Sequence, residues 1–382
     1  MSQAAQINAD GVKRVVKLES AEIRLVRLPL LHPFQISSGT MTERYFILLT
    51  LHSQGLEGHG ESVMDVIPYW REETLPGALE LLKSVLLPAV IGKSFNNPNA
   101  LVGTFAYLKG NRMAKATLET AFWDLWAKSL GQPLANVLGG TRDAIQVGVS
   151  LGIQSDLSVT LKQVESHLQL GYKRIKLKIQ PGHDLNVVSL VRKHFPDAHL
   201  TVDANSAYTL SDARVFQQLD EHLLDYIEQP LAFDDLHDHA KLQAMLHTAL
   251  CLDESIQDAG FARKALESGA ARVINIKTGR VGGHLESRKI HDLTQAFGAP
   301  VWCGGMLESG IGRAHNIHLS TLENFTKPGD TSSSSRYWKQ DIINEPLEVE
   351  NGMMPVPVGP GIGVTLNLRA LESVTESTEV IR

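Results

Sequence analysis

From residue 146 onward the chain alternates short apolar runs with longer stretches in which apolar residues recur every three or four positions. The short runs are QVGVSLGI, RIKLKIQ, HLTVDAN, DYIEQPL, LCLDES, RVINIKT and APVWCGGML. Segments such as SVTLKQVESHLQLGY and LESRKIHDLTQAFG lie between them, carry a helical period and close near glycine. Strands separated by helices run parallel, so the pattern over residues 146–345 predicts βα units closing into an eight-stranded barrel. The preceding residues, 15–145, read differently. VKLESAEIRLVRLPL and YFILLTLHS predict an antiparallel pair followed by helices, an α+β domain capping the barrel. Residues 1–14 are a polar tail expected to be flexible, and VENGMMPVPVGPGIGVTL in the C-terminal segment 346–382 holds too much glycine and proline for a helix.

Three of the short runs end on an acid: Asp203, Glu228 and Asp253, with an interval of 25 residues from each to the next. One strand, one helix and two loops fill that length, so each βα unit delivers one carboxylate from the tip of its strand. Three converging carboxylates make a site for a hard divalent cation, Mg²⁺ or alternatively Mn²⁺. Lys178 and Lys277 flank the trio at intervals of 25 and 24 residues. If QVGVSLGI is the first barrel strand, they lie on the second and sixth, across the ring from one another. Lys176 sits two residues before Lys178 and shares its face of the strand.

These residue types belong together chemically. Taking a proton from the carbon next to a carboxylate leaves a doubly charged enediolate, which a divalent cation can hold. The base must be neutral near pH 7, whereas free lysine titrates around 10.4. Burial and a second amine depress that value, so Lys176 is expected to stay cationic while Lys178 acts as base. Glu254 adjoins Asp253 and competes for its role, although strand alternation turns neighbours to opposite faces.

KLK, DAN, EQP, DES and the lysine of the sixth strand resemble the muconate-lactonizing subgroup of the enolase superfamily. GGMLESGIGRAHNIHLSTLENFTKPGDTSSSSRYWKQDI at residues 304–342, with HPFQISSGTMTERYFILL, GESVMDVIPYWREET and ATLETAFWDLWAK, is similar to o-succinylbenzoate synthases that also act as N-succinylamino acid racemases. The resemblance covers nearly the whole chain. It implies an α/β fold, a modified (β/α)7β TIM-like barrel with an α+β capping domain to which the C-terminal segment returns. It also implies a lyase of menaquinone synthesis, with racemization as the alternative activity. Enolase-superfamily enzymes use a Lys or His base with one or two Mg²⁺ ions, which is known of the family and is not read from these residues.

Further roles follow from the same likeness: Ser150 as a hydroxyl for the substrate carboxylate, Asn205 as a partner of a lysine or the substrate, and Met306 as a pocket residue. Phe34, Ile36, Val63, Met64, Ile67 and Tyr69 are the apolar candidates in the cap loops. Arg280, three residues past Lys277, is expected to lower the pKa of that amine. Where dipeptide epimerases carry an aspartate pair, this chain has Asp330, Thr331 and Ser332, which argues against a dipeptide substrate.

Composition then narrows the partners. A net charge of −6 with a pI near 6.2 gives no basic footprint for nucleic acid, and no segment reads as a membrane span. The expected partner is a small carboxylate, within a homo-oligomer in the cytoplasm. Cys251 and Cys303 fall inside predicted strands and read as buried thiols. FDDLHDHAKL gathers acids and histidines, but it stands at a helix entrance where acids complement the dipole. TGRVGGHLE lacks the G-x-G-x-x-G spacing and is read as a loop into the next helix.

Overall fold

The computed structural model describes residues 14–36 and 39–382, so the tail before Arg14 and the side chain of Ile36 lie outside what is described. A long hairpin of β1 (Ser20–Ile36) and β2 (Gly39–Ser53) opens the cap, and β3 (Leu56–Glu61) extends it as a third antiparallel strand. The last strand of the chain, β11 (Thr375–Ile381), pairs with β1 and completes this four-stranded sheet. Helix α1 (Arg112–Ser129) packs across it, with Ala121, Phe122 and Leu125 wholly buried. Helix and strand approach closely because Gly58 and Gly60 carry no side chain: a Cβ at either would overlap the α1 backbone.

Seven parallel strands form the barrel: β4 (Val149–Leu151), β5 (Ile175–Lys178), β6 (Leu200–Asp203), β7 (Tyr226–Glu228), β8 (Leu250–Leu252), β9 (Val273–Ile276) and β10 (Val301–Cys303). Helices alternate with them: α2 (Leu157–Gln169), α3 (Leu185–His194), α4 (Ala213–Asp220), α5 (Leu236–Ala244), α6 (Ala259–Glu267), α7 (His284–Ala296) and α8 (Gly310–Leu319). The eighth place in the ring is taken by residues 324–330, which bridge β10 on one side and the start of β4 on the other. Pro328 falls inside this segment, and the ladder is correspondingly broken.

One sequence expectation is refined here and a second is met. TGRVGGHLE is not all loop: Thr278–Val281 makes one helical turn, and Gly282 and Gly283 (φ +109° each) redirect the chain into α7. FDDLHDHAKL is a helix start, with Asp235 capping α5 through Asp238 N at 2.9 Å. Cys251 and Cys303 are free and buried, as expected. Among the described residues no helix is long and apolar enough to cross a membrane.

Cap and barrel are joined through buried carboxylates. Glu61, at the end of β3, accepts from Ser309 N (2.9 Å), Ser309 Oγ (2.5 Å) and Gly312 N (3.0 Å) at the start of α8. Glu119 of α1 accepts from His284 N (2.8 Å) and Leu285 N (2.9 Å) at the start of α7, and from its own helix's Trp123 Nε1 (2.7 Å). These acids meet the orphan N–H groups and positive ends of two barrel helices. Burial pushes both carboxyls up to about 7, against the pull of the donors. At Gly283 a Cβ would overlap the Glu119 carboxylate, so both the positive φ and the contact require glycine.

Gly283→Ala is therefore expected to cost about 3 kcal/mol, strain plus a displaced carboxylate. Gly103→Ala, where no atom lies within 4 Å of the new Cβ, is the control and should be near neutral. Urea unfolding of the two variants measures the difference.

Candidate active site

Asp203 and Glu228 are the last residues of β6 and β7, and Asp253 is the first beyond β8. Lys178 pairs in register with Asp203, and Asp203 with Glu228, so these three form one row at the strand ends. All three carboxylates are buried, none more than 1% exposed. Lys176 and Lys178 share the inward face of β5, and Lys277 follows β9 on the other side of the ring.

Each carboxylate is met by a cation. Lys176 Nζ reaches Asp330 Oδ2 at 2.7 Å, Glu228 Oε2 at 2.9 Å and Asp203 Oδ2 at 3.4 Å, and stands 4.7 Å from the centroid of the Trp302 ring. Lys178 Nζ donates to Asp203 Oδ2 and Asn205 Oδ1, both at 2.6 Å. Lys277 Nζ contacts Asp253 Oδ2 at 2.8 Å and lies 4.5 Å from the centroid of the Trp70 ring. Arg280 pairs with Asp253 and spends its other donors on the carbonyls of Ile256 and Asn275.

Lys176 is held cationic, as the sequence leads one to expect, but by acid pairings that the sequence does not reveal. Burial works against the charge of Lys176, but Asp330, Glu228 and Asp203 outweigh it and hold the amine well above its ordinary value. Burial likewise opposes the charge of Asp203, yet Lys178 and Lys176 keep it well below the usual carboxylate range. Glu228 is pushed up to about 7 by burial and then by the charge of Asp203.

The donor set suits a divalent cation chemically. It offers only hard oxygen ligands, and the repulsion between Asp203 and Glu228 is what a cation would relieve. As the side chains stand, no three acids among the described residues converge on one point, because amines and a guanidinium engage their oxygens.

A cavity in two lobes lies above the row. Phe34, Lys178, Lys277, Gly305 and Leu307 line both lobes. Tyr69, Trp70, Asn205 and Met306 belong to the first, Ser150, Lys176, Asp203 and Asp330 to the second. Ser150 Oγ is buried and has no hydrogen-bond partner among the described residues. The hairpin tip that carries Phe34 is tied to the barrel by Leu31 N, which donates to Tyr337 O at 2.9 Å. Other sequence candidates stand apart: Val63 and Met64 are buried, 3% and 1% exposed, with Val63 packed against Gly279 of the barrel, and Ile67 is 62% exposed over a neighbouring groove. Arg280 is buried below the cavity and lines neither lobe.

Two residues gain importance that the sequence did not give them. β8 ends at Leu252, so alternation does not govern Asp253 and Glu254. Glu254 turns toward the mouth and accepts from Trp70 Nε1 and Asn205 Nδ2. Asp330, first read only for substrate choice, bridges Lys176 and the fully buried Arg174. No local signal in PGDTSSSS announces a partner 154 positions back, the separation of 330 from 176.

The chain matches two families of known proteins. Residues 160–370 match the Enolase C-terminal domain-like family, and residues 20–139 the Mandelate racemase / muconate lactonizing enzyme N-terminal domain. It is 57% identical to an N-succinylamino acid racemase of Thermus thermophilus, over 94% of this chain and 98% of that protein. It is 50% identical to an o-succinylbenzoate synthase of Geobacillus kaustophilus, over 94% of this chain and 96% of that one. A crystal structure of an enolase superfamily member from Listeria innocua superposes with a TM-score of 0.93 at 40% identity, covering 96% of this chain and 99% of its own.

Removing one partner of a buried ion pair leaves the other uncompensated. Asp330→Ala strips the carboxylate from Arg174, whose side chain is 0% exposed, and should cost roughly 3 to 5 kcal/mol in chemical denaturation. A loss under about 1 kcal/mol would show that Arg174 finds compensation elsewhere.

Proposed function

We propose, for a chain that belongs to the mandelate racemase / muconate lactonizing enzyme family of the enolase superfamily, an o-succinylbenzoate synthase. The reaction is dehydration of 2-succinyl-6-hydroxy-2,4-cyclohexadiene-1-carboxylate, in menaquinone synthesis. The observation that carries this reading is the pair of amines, Lys178 and Lys277, on facing sides of one cavity above three buried carboxylates.

Lys178 takes the proton from the carbon bearing the carboxylate. The electron pair left behind forms the new ring double bond as hydroxide departs from the adjacent carbon, and the proton and hydroxide leave as water. Lys277 stays an ammonium and faces the developing enediolate. Asp203, Glu228 and Asp253 would hold a divalent ion, Mg²⁺ or Mn²⁺, which when bound supplies positive charge for the enediolate oxygens. Ser150, with its unpartnered hydroxyl, is the proposed donor to the substrate carboxylate. Phe34, Tyr69 and Met306 wall the cavity and exclude water.

A second reading, racemization of N-succinylamino acids, is favoured by the 57% identity to a racemase of that name. It needs the same residues with both lysines exchanging protons. Arg280 serves it by holding Asp253, the carboxylate that Lys277 contacts. A homo-oligomeric, cytoplasmic enzyme completes the proposal.

Chelation of the purified enzyme should abolish dehydration, and added Mg²⁺ or Mn²⁺ should restore it. Full turnover after exhaustive chelation would exclude the ion. Lys178→Ala should lower kcat by about 10²- to 10⁴-fold with the far-UV spectrum unchanged. A rate within about three-fold of the parent would remove Lys178 from the role of base.

A further inference from the structure

The cap loop bearing Trp70 and Arg71 meets the barrel at Glu254, and that contact leads to both lysines. Trp70 Nε1 donates to Glu254 Oε1 at 2.9 Å, and Asn205 Nδ2 donates to the same oxygen at 3.0 Å. The Asn205 amide has one chemically consistent orientation, since its Oδ1 accepts from Lys178 Nζ at 2.6 Å while its nitrogen faces a carboxylate. The other side of the indole is also engaged: Lys277 Nζ lies 4.5 Å from the ring centroid. Arg71 locks the loop in place, donating to Glu254 O at 2.8 Å and stacking 4.3 Å over the Phe233 ring.

Glu254 is 3% exposed, so Trp70 and Asn205 share a desolvated acceptor. Lysine has a flexible four-carbon stem, and holding it in one conformation costs entropy that fixed partners offset beforehand. A displacement of an ångström at a reacting group can cost on the order of 10²-fold in rate.

We propose that Trp70 is a positioning residue for both lysines, so that seating the cap loop aligns the two amines in one event. Its N–H acts on Lys178 through Glu254 and Asn205, and its ring face acts on Lys277 directly. This rests on the second reading above, racemization, in which both lysines exchange protons.

The test uses the full-length enzyme at saturating Mg²⁺, with each enantiomer of an N-succinylamino acid in D₂O and loss of the α-proton followed by NMR. Lys178→Ala and Lys277→Ala assign each enantiomer to its lysine. Trp70→Phe keeps a ring face and removes the N–H. It should shift the ratio of the two exchange kcat values about ten-fold against Lys178, with little movement in KM. Glu254→Gln should shift the ratio the same way, and Trp70→Leu should lower both rates. Equal losses in Trp70→Phe, or a change in KM alone, would make Trp70 a plain pocket wall and overturn the proposal. A crystal structure of Trp70→Phe decides without catalysis: the Lys178–Asn205 contact should open, and an intact contact refutes the relay. Absence of exchange for both enantiomers in the unmodified enzyme would instead sink the two-base reading, with the crystal structure still deciding the relay.

Discussion

Charge buried inside a barrel must be matched by charge, and that constraint organises this protein from its floor to its mouth. Arg174 is paired with Asp330, Asp330 with Lys176, Lys176 with Glu228 and Asp203, and Asp203 with Lys178. On the other side of the ring Asp253 lies between Lys277 and Arg280. An unpaired member of such a chain would cost several kcal/mol, so the pairings hold each side chain in one place. Next to them the fully buried Tyr226 and Trp302 rings stack at 5.8 Å, with Arg174 and Lys176 over the Trp302 ring.

The same constraint explains how the cap is held. Glu61 and Glu119 are buried acids that form no salt bridge among the described residues, and each is satisfied by the N-terminus of a barrel helix. The cap is thereby fixed in position relative to α7 and α8. That position sets where Phe34 and Trp70 fall over the cavity. Stability of the interface and shape of the site rest on the same few hydrogen bonds.

The two activities named for its relatives ask for one geometry. Dehydration needs a base and a facing cation, and racemization needs a base on each face. In the proposed function Lys178 and Lys277 would serve both, and the two amines differ in what surrounds them: Asp203 and Asn205 for one, Asp253 and the Trp70 ring for the other.

The barrel strands were legible in the sequence because a parallel strand buried on both faces is a short apolar run, and the acids and lysines could be found because βα units repeat at a nearly constant length. Lys178, Asp203 and Glu228 stand in one row for that reason. Other features carry no local signal. The charged state of Lys176 depends on Asp330, which comes from the irregular segment that takes the eighth place in the ring. The orientation of Glu254 is set by hydrogen bonds from Trp70 and Asn205, because β8 ends before it and strand alternation no longer applies. Val63 and Ile67 look alike as cap-loop residues in the sequence, yet one is buried against Gly279 of the barrel and the other is exposed. Periodic spacing determines which residues reach the strand ends. The partners that fix their charge and direction lie far away in the chain, and only the folded structure brings them within a hydrogen bond's length.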